Sequence, residues 1–174
     1  MSKSTLKKHL QTLTKEQIIE QVLNLYDSYK PVKEYLEYNL SPNEKEQFDK
    51  NQAIIVNEFY PKGKYSEPKT SFSVAKKGIA DFSKLNPSPK LIGDLMVTFA
   101  EMACKFTHDY GDLWEQYYTS TVTNYEQALK FLQKHNLLED FKLRCETCLE
   151  YASPCGYGFP DEMEYVYFKY YPEQ

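Results

Sequence analysis

Ser88-Pro89-Lys90-Leu91-Ile92-Gly93-Asp94-Leu95-Met96-Val97-Thr98-Phe99-Ala100-Glu101-Met102-Ala103-Cys104-Lys105-Phe106 opens on a helix-start signal and continues with apolar residues at helical spacing. Ser at the N-cap accepts a hydrogen bond from an orphan N–H of the first turn, and Pro at the next position presets φ where no donor is needed. Leu91, Ile92, Leu95, Met96, Phe99, Met102, Ala103 and Phe106 cover so wide an arc that this helix is expected to be buried on more than one side. Gly111 ends it. Ser41-Pro42, 47 positions earlier, reads as the same kind of start, with Glu44 completing a capping box and a helix running to about Phe59. At that offset Phe48 meets Leu95, Ala53 meets Ala100, Ile55 meets Met102, Val56 meets Ala103 and Phe59 meets Phe106. The agreement hints at a helical repeat of HEAT-like period.

The rest of the chain has the same periodicity. Leu6, Leu10 and Leu13 predict a short helix beginning near Ser4. Thr14 with Gln17 forms a capping box before Ile18, Ile19, Val22, Leu23 and Tyr26, and Pro31 can sit in the first turn of a helix carrying Val32, Tyr35, Leu36 and Leu40. Pro61, Gly63 and Pro68 mark a Lys-rich loop, after which a helix from Thr70 or Ser71 presents Val74, Ala75, Ile79, Phe82 and Leu85 and stops before Asn86-Pro87. Two further segments, about 112–134 and 137–152, are helical by period, the first expected to break at the β-rich run Thr119 to Thr123. Gly156-Tyr157-Gly158-Phe159-Pro160 reads as a turn, and residues 161–171 as a last aromatic segment. No spacer is a two-residue hairpin turn. The expected fold is all-α, with about seven to nine helices in one domain over residues 1–174, either a multi-helix bundle or a short stack of helical hairpins.

A length of 174 residues with 41% apolar content is enough for one core. Residues 1–15 contain no apolar leader segment and no run approaches a membrane span, so no membrane partner is expected and the reading is a cytoplasmic protein. Four cysteines are too sparse for a disulfide scaffold and fit reduced thiols. The net charge of −4 disfavours bulk nucleic-acid binding, and Arg144 is the only arginine, where planar recognition of phosphates and bases leans on Arg. Charge is nevertheless uneven. Residues 61–90 hold seven lysines against Glu67 and Asp81, and residues 137–174 hold eight acids against Lys142, Arg144 and Lys169. A Lys-rich surface for an anionic partner is therefore one reading, and ordinary solvated helix faces the other.

Few constellations carry chemistry. Cys145-Glu146-Thr147-Cys148 has the redox spacing but lies inside a helical stretch, not at a helix start after a strand. Cys104 and His108, spaced i, i+4, with Cys145 and Cys148 supply four ligands for a tetrahedral zinc, yet zinc ligands favour turns and buried Cys is a common packing choice. These four are weak metal candidates; the expectation is no metal and no cofactor. His108-Asp109 matches the dipeptide of the helical HD metal phosphohydrolases, whose second upstream His is missing, since the only one is His9. Asp109, Asp112 and Glu115 crowd one turn and read first as caps for the next helix. No nucleophile motif or phosphate-cradling loop is present, and no catalytic residue is assigned.

Tyr151, Tyr157, Phe159, Tyr165, Tyr167, Phe168, Tyr170 and Tyr171 are more aromatic rings than one helix face can bury. Some pack internally and some are left for a contact, where Tyr supplies area and a polar tip. The candidate binding residues are Asp109, Tyr110, Gly111, Asp112, Tyr157 and Phe159, with a protein partner or self-association through the aromatic C-terminal region.

Leu6-Lys7-Lys8, Leu13-x-Lys15-Glu16-Gln17, Val32-Lys33-Glu34-Tyr35, Ser71 to Lys77, Pro87-Ser88-Pro89, Tyr110-Gly111-Asp112 and Gly156-Tyr157-Gly158-Phe159 together carry a resemblance over nearly the whole length. The chain resembles an uncharacterised bacterial domain-of-unknown-function family of small all-helical cytoplasmic proteins. The resemblance implies a helical fold and brings no activity. A non-enzymatic helical interaction module is the leading expectation, a metal-binding or metal-dependent hydrolytic protein the alternative, and Lys-rich anion binding the third.

Overall fold

Helix caps and helical periodicity recur along the chain without a strand signal, and the computed structural model, which describes residues 1–63 and 65–172, is all-α. Lys64 of the Lys-rich loop, Glu173 and Gln174 lie outside the described residues. Among those described there are nine helices: α1 (Lys3–Leu10), α2 (Lys15–Ser28), α3 (Lys30–Leu40), α4 (Glu44–Phe59), α5 (Phe72–Lys84), α6 (Pro89–Tyr110), α7 (Glu115–Lys134), α8 (Leu138–Ala152) and α9 (Phe159–Tyr170). They fall into two compact units, Met1–Asn43 and Glu44–Gln174.

The N-terminal unit is built from strong local signals. Ser2 Oγ accepts from the N–H of Thr5 at 3.2 Å to start α1. Thr14 and Gln17 make the expected reciprocal box, Gln17 N–H to Thr14 Oγ1 at 3.2 Å and Thr14 N–H to Gln17 Oε1 at 2.9 Å. Helices α2 and α3 then pair as a hairpin through Tyr29, with the Tyr26 hydroxyl donating to Glu37 at 2.8 Å. Tyr38 is the one buried apolar side chain among its residues.

The C-terminal unit is a multi-helix bundle centred on α6, which packs on α4, α5, α7 and α8, while α9 packs on α7 and α8. The breadth of the α6 apolar arc is the cause: Leu95, Phe99 and Phe106 are buried on one side of the helix, and Val97, Ala100 and Cys104 on the opposite side. Around them Ile55 and Phe59 of α4, Leu129 and Leu132 of α7 and Met163 of α9 complete one core. Arg144 on α8 reaches across to a single stripe of α6, bonding Asp94 at 2.7 Å, Thr98 at 3.0 Å and Glu101 at 2.7 Å. The chain's only arginine thus spans two core helices with all three of its guanidinium nitrogens hydrogen-bonded.

The paired Ser-Pro starts differ from the expectation. Ser41 ends α3, its N–H donating to the Glu37 carbonyl at 2.9 Å, and α4 begins at Glu44. The reason is local: the residue before a proline is pushed out of the helical region, and Ser41 has φ −143°, ψ 80°. Ser88 does occupy the N-cap of α6, but its side chain makes no cap bond. Instead its N–H donates to the Glu44 carboxylate at 3.3 Å, so Glu44 ties the start of α6 to the start of α4. The period survives the corrected cap. Helices α4, α6 and α8 begin 45 and 49 residues apart, and α6 packs against both of the others. The expected break in α7 is also absent, because Thr119, Thr121 and Thr123 turn their hydroxyls back onto carbonyls four residues earlier, at 3.2, 2.9 and 2.8 Å. The C-terminal helix α9 starts at Phe159, within what reads as a turn, since Pro160 fits a first turn without needing an N–H.

Candidate functional site

Helix α6 ends where Gly111 takes φ 92°, ψ −175°, a conformation closed to residues with a Cβ, and the chain swings into the start of α7. The next residue, Asp112, is the hub of this end of the bundle. Its Oδ1 accepts from the N–H of Gly156 at 2.8 Å and from the Tyr118 hydroxyl at 2.8 Å. A Cβ on residue 156 would stand 3.0 Å from the Asp112 carboxylate, close enough that the carboxylate would have to give by a few tenths of an ångström. These donors hold the Asp112 carboxyl below the usual carboxylate range, the Gly156 N–H contributing most.

The Tyr118 hydroxyl also accepts from the N–H of Leu113 at 3.1 Å and sits 3.0 Å from the Thr107 hydroxyl, which lies 3.2 Å from the Gly111 carbonyl. Burial raises the Tyr118 pKa, keeping it a neutral donor. The network joins α6, the turn after it, α7 and the loop before α9, and among the described residues no buried side-chain polar atom lacks a partner.

On this frame lies a row of rings. Phe106, Tyr117 and Tyr118 are buried, with Phe106 to Tyr117 at 6.4 Å and Tyr117 to Tyr118 at 6.2 Å. Each carries an outward neighbour: Tyr110 on Phe106 at 4.6 Å, Trp114 on Tyr117 at 5.8 Å and Tyr157 on Tyr118 at 6.0 Å. Those three are 62%, 60% and 73% exposed. Tyr157 is held outward by a backbone with φ 59°, a strained conformation for a non-glycine residue.

The sequence candidates separate into three places. Asp112, Gly111 and Tyr157 converge on the hub, and Phe159, fully buried, packs under Tyr118 at 4.6 Å as its support. Asp109 faces another group. Its oxygens accept from Tyr60 at 2.9 Å and from Lys105, and His108 Nδ1 lies 3.0 Å away. Lys105 first, then His108 and Tyr60, depress its pKa strongly, and the Lys105 ammonium also sits over the Tyr60 ring at 4.7 Å. Tyr110 bridges the two places, with Tyr60 at 6.3 Å on its other side.

The metal candidates occupy the third place and do not assemble. Cys104, Cys145 and Cys148 are buried in the core between α6 and α8, whereas His108 is turned outward against Tyr151 at 5.4 Å. Burial pushes the Cys145 thiol up to about 12, and Cys148, hydrogen-bonded to the Cys104 thiol and buried, rises as well, so these sulfurs are packed thiols. Among the described residues no group of three or more His, Cys, Asp or Glu side chains is placed to hold a metal ion, and the cysteines are free.

At the far end of α9, Tyr171 stacks on Tyr167 at 4.7 Å and Phe168 lies edge-on to Tyr167 at 5.3 Å. Tyr167 and Tyr171 are buried, Phe168 and Tyr165 open to solvent. Tyr167, Phe168 and Tyr171 line a pocket of about 600 Å³ with Glu139 and Lys142. Aromatic area with polar tips is the composition of a protein-interaction surface, and this C-terminal cluster provides one. Of the Lys-rich stretch, Lys84 pairs with Asp81 at 2.7 Å and Lys90 with Asp140 at 2.8 Å. No helix among the described residues is long and apolar enough to cross a membrane.

Sequence reading missed Trp114, Tyr118, Thr107, Tyr60 and Lys105. Trp114 had a signal, as the only tryptophan, set in a turn; the others are brought in by packing alone.

Fold and site together define an all-helical protein with aromatic surface clusters and no group of side chains placed to hold a metal ion among its described residues. The chain belongs to a family of unknown function, DUF6155, whose model matches residues 1–169. No curated protein and no solved structure matches it.

Proposed function

We propose that the protein is a non-enzymatic, cytoplasmic helical module that binds a partner protein through the end of the bundle formed by Asp109, Tyr110, Gly111, Asp112, Trp114 and Tyr157, with Phe159 beneath. One observation carries the reading: three exposed aromatic rings stand on a buried ring row whose turns are locked by a satisfied hydrogen-bond network. Tyr and Trp are the residues that most often dominate binding energy, and rings that are already fixed lose little entropy on binding. Free thiols support a reducing compartment.

The test compares proteins captured from lysate by the intact chain and by a Trp114→Ala/Tyr157→Ala variant, with circular dichroism confirming an unchanged fold. A partner is expected whose recovery falls at least tenfold with the variant. Identical capture profiles for the two proteins overturn the reading.

A further inference from the structure

The N-terminal unit has well-made helices and little apolar burial, Tyr38 being the one buried residue of the three. Helices of 8, 14 and 11 residues are marginal in water on their own, and units of about 40 residues without disulfides or metal usually need oligomerisation. Yet α1 and α2 contain no buried residue at all. The caps specify these helices; an apolar contact must keep them.

The unit displays two features of opposite character. The first is a groove of about 820 Å³ along α1 and the start of α2, floored by Leu6, Leu10, Leu13 and Ile18, with Lys3 and Lys7 on its rim. Helix α1 carries no acid. The second is a ridge on α2. Ile19 and Leu23, i and i+4, are 48% and 56% exposed; Glu16, Glu20 and Asp27 run along one flank of this ridge at helical spacing, with Lys15 at its N-terminal tip. Ile18 and Ile19 are adjacent in sequence and so about 100° apart on the helix, which puts groove and ridge on different faces. None of Lys3, Lys7, Glu16 and Glu20 makes an ion pair among the described residues.

The geometry points to a second copy of this chain as the occupant: the acidic-apolar ridge of one N-terminal unit fills the basic-apolar groove of another, and the exchange is returned. An apolar groove with a positive rim and an apolar ridge with an acidic flank match in both surface and charge. Because each unit owns one of each, a two-fold axis uses both pairs and closes the assembly as a dimer. The arrangement is independent of the aromatic end of the bundle, so either reading can fail without the other.

Sedimentation velocity on the full chain over a concentration series tests it. Wild type is expected to run as a dimer that dissociates on dilution. Leu23→Glu is expected to run as a monomer with unchanged helicity. Lys3→Glu/Lys7→Glu weakens the dimer about tenfold or more, and adding Glu16→Lys/Glu20→Lys to the same chain restores it. The rescue separates a charge-matched interface from a merely damaged unit. Wild type that stays monomeric at every concentration, a dimer indifferent to Leu23→Glu, or a charge reversal that is not rescued each overturns the proposal.

Discussion

The two units of the chain have equally good helix signals and opposite fates for their apolar side chains. In Met1–Asn43 a capping box, a Ser cap and regular periodicity produce three helices whose leucines and isoleucines remain half open to solvent. In Glu44–Gln174 the central helix has no side-chain cap bond, and its apolar residues are buried on several sides. Caps decide where a helix begins. Burial depends on how much of its circumference is apolar and on how many neighbours the topology can bring to it.

The sharpest way to break that contrast is a matched pair of truncations. Leu132→Ala, in the core, is expected to cost about 3 kcal/mol or more, while Leu23→Ala, at dilutions where the chain is monomeric, stays within about 0.5 kcal/mol. Urea unfolding of both variants measures the difference, and similar losses would mean that the N-terminal unit has a core after all. Next in size is Arg144→Ala, which leaves Asp94 and Glu101 without their partner between α6 and α8 and is expected to cost about 3 kcal/mol, with Arg144→Met costing less. Smaller again is Tyr118→Phe, which strips the Leu113 N–H and the Thr107 hydroxyl of a partner, for a loss of about 1.5 kcal/mol in the same unfolding measurement.

The smallest effect is a pH dependence at the aromatic end of the C-terminal unit. Asp109 and Asp112 both have carboxyls lowered in the folded state. Their contribution is therefore complete above the ordinary carboxylate range, at about pH 4, and is lost as pH falls below it towards the depressed folded values. Amide exchange near Gly111 and Gly156 should quicken on acidification below that range, beyond the change in intrinsic exchange rate.

How much of this was legible beforehand can be argued from single residues. The Thr14 box, the α6 arc and the all-helical pattern rest on neighbours within one turn, and sequence displays those directly. Ser41-Pro42 misled because the same dipeptide can open a helix or close the one before it, and α3 claimed the Ser41 N–H first. Asp112, Gly111 and Tyr157 were nameable as unusual turn residues, but their meeting depends on a 44-residue separation closed through Gly156. Tyr118 gave no signal. Its role comes from α7 packing beside α6, and no local pattern encodes that. Asp109 sits three positions before Asp112 and serves a different set of partners, since the chain leaves the helix at Gly111 between them.

The left-handed backbone of Tyr157 has a consequence for how variants of this protein should behave. Glycine fits that conformation without strain, so a Tyr157→Gly replacement relieves the turn at the moment it deletes the most exposed of the three outward rings. Resistance to unfolding and capacity for recognition are then set against each other at one position, and a screen for sturdier versions of this chain will tend to discard the side chain that its partner is proposed to grip.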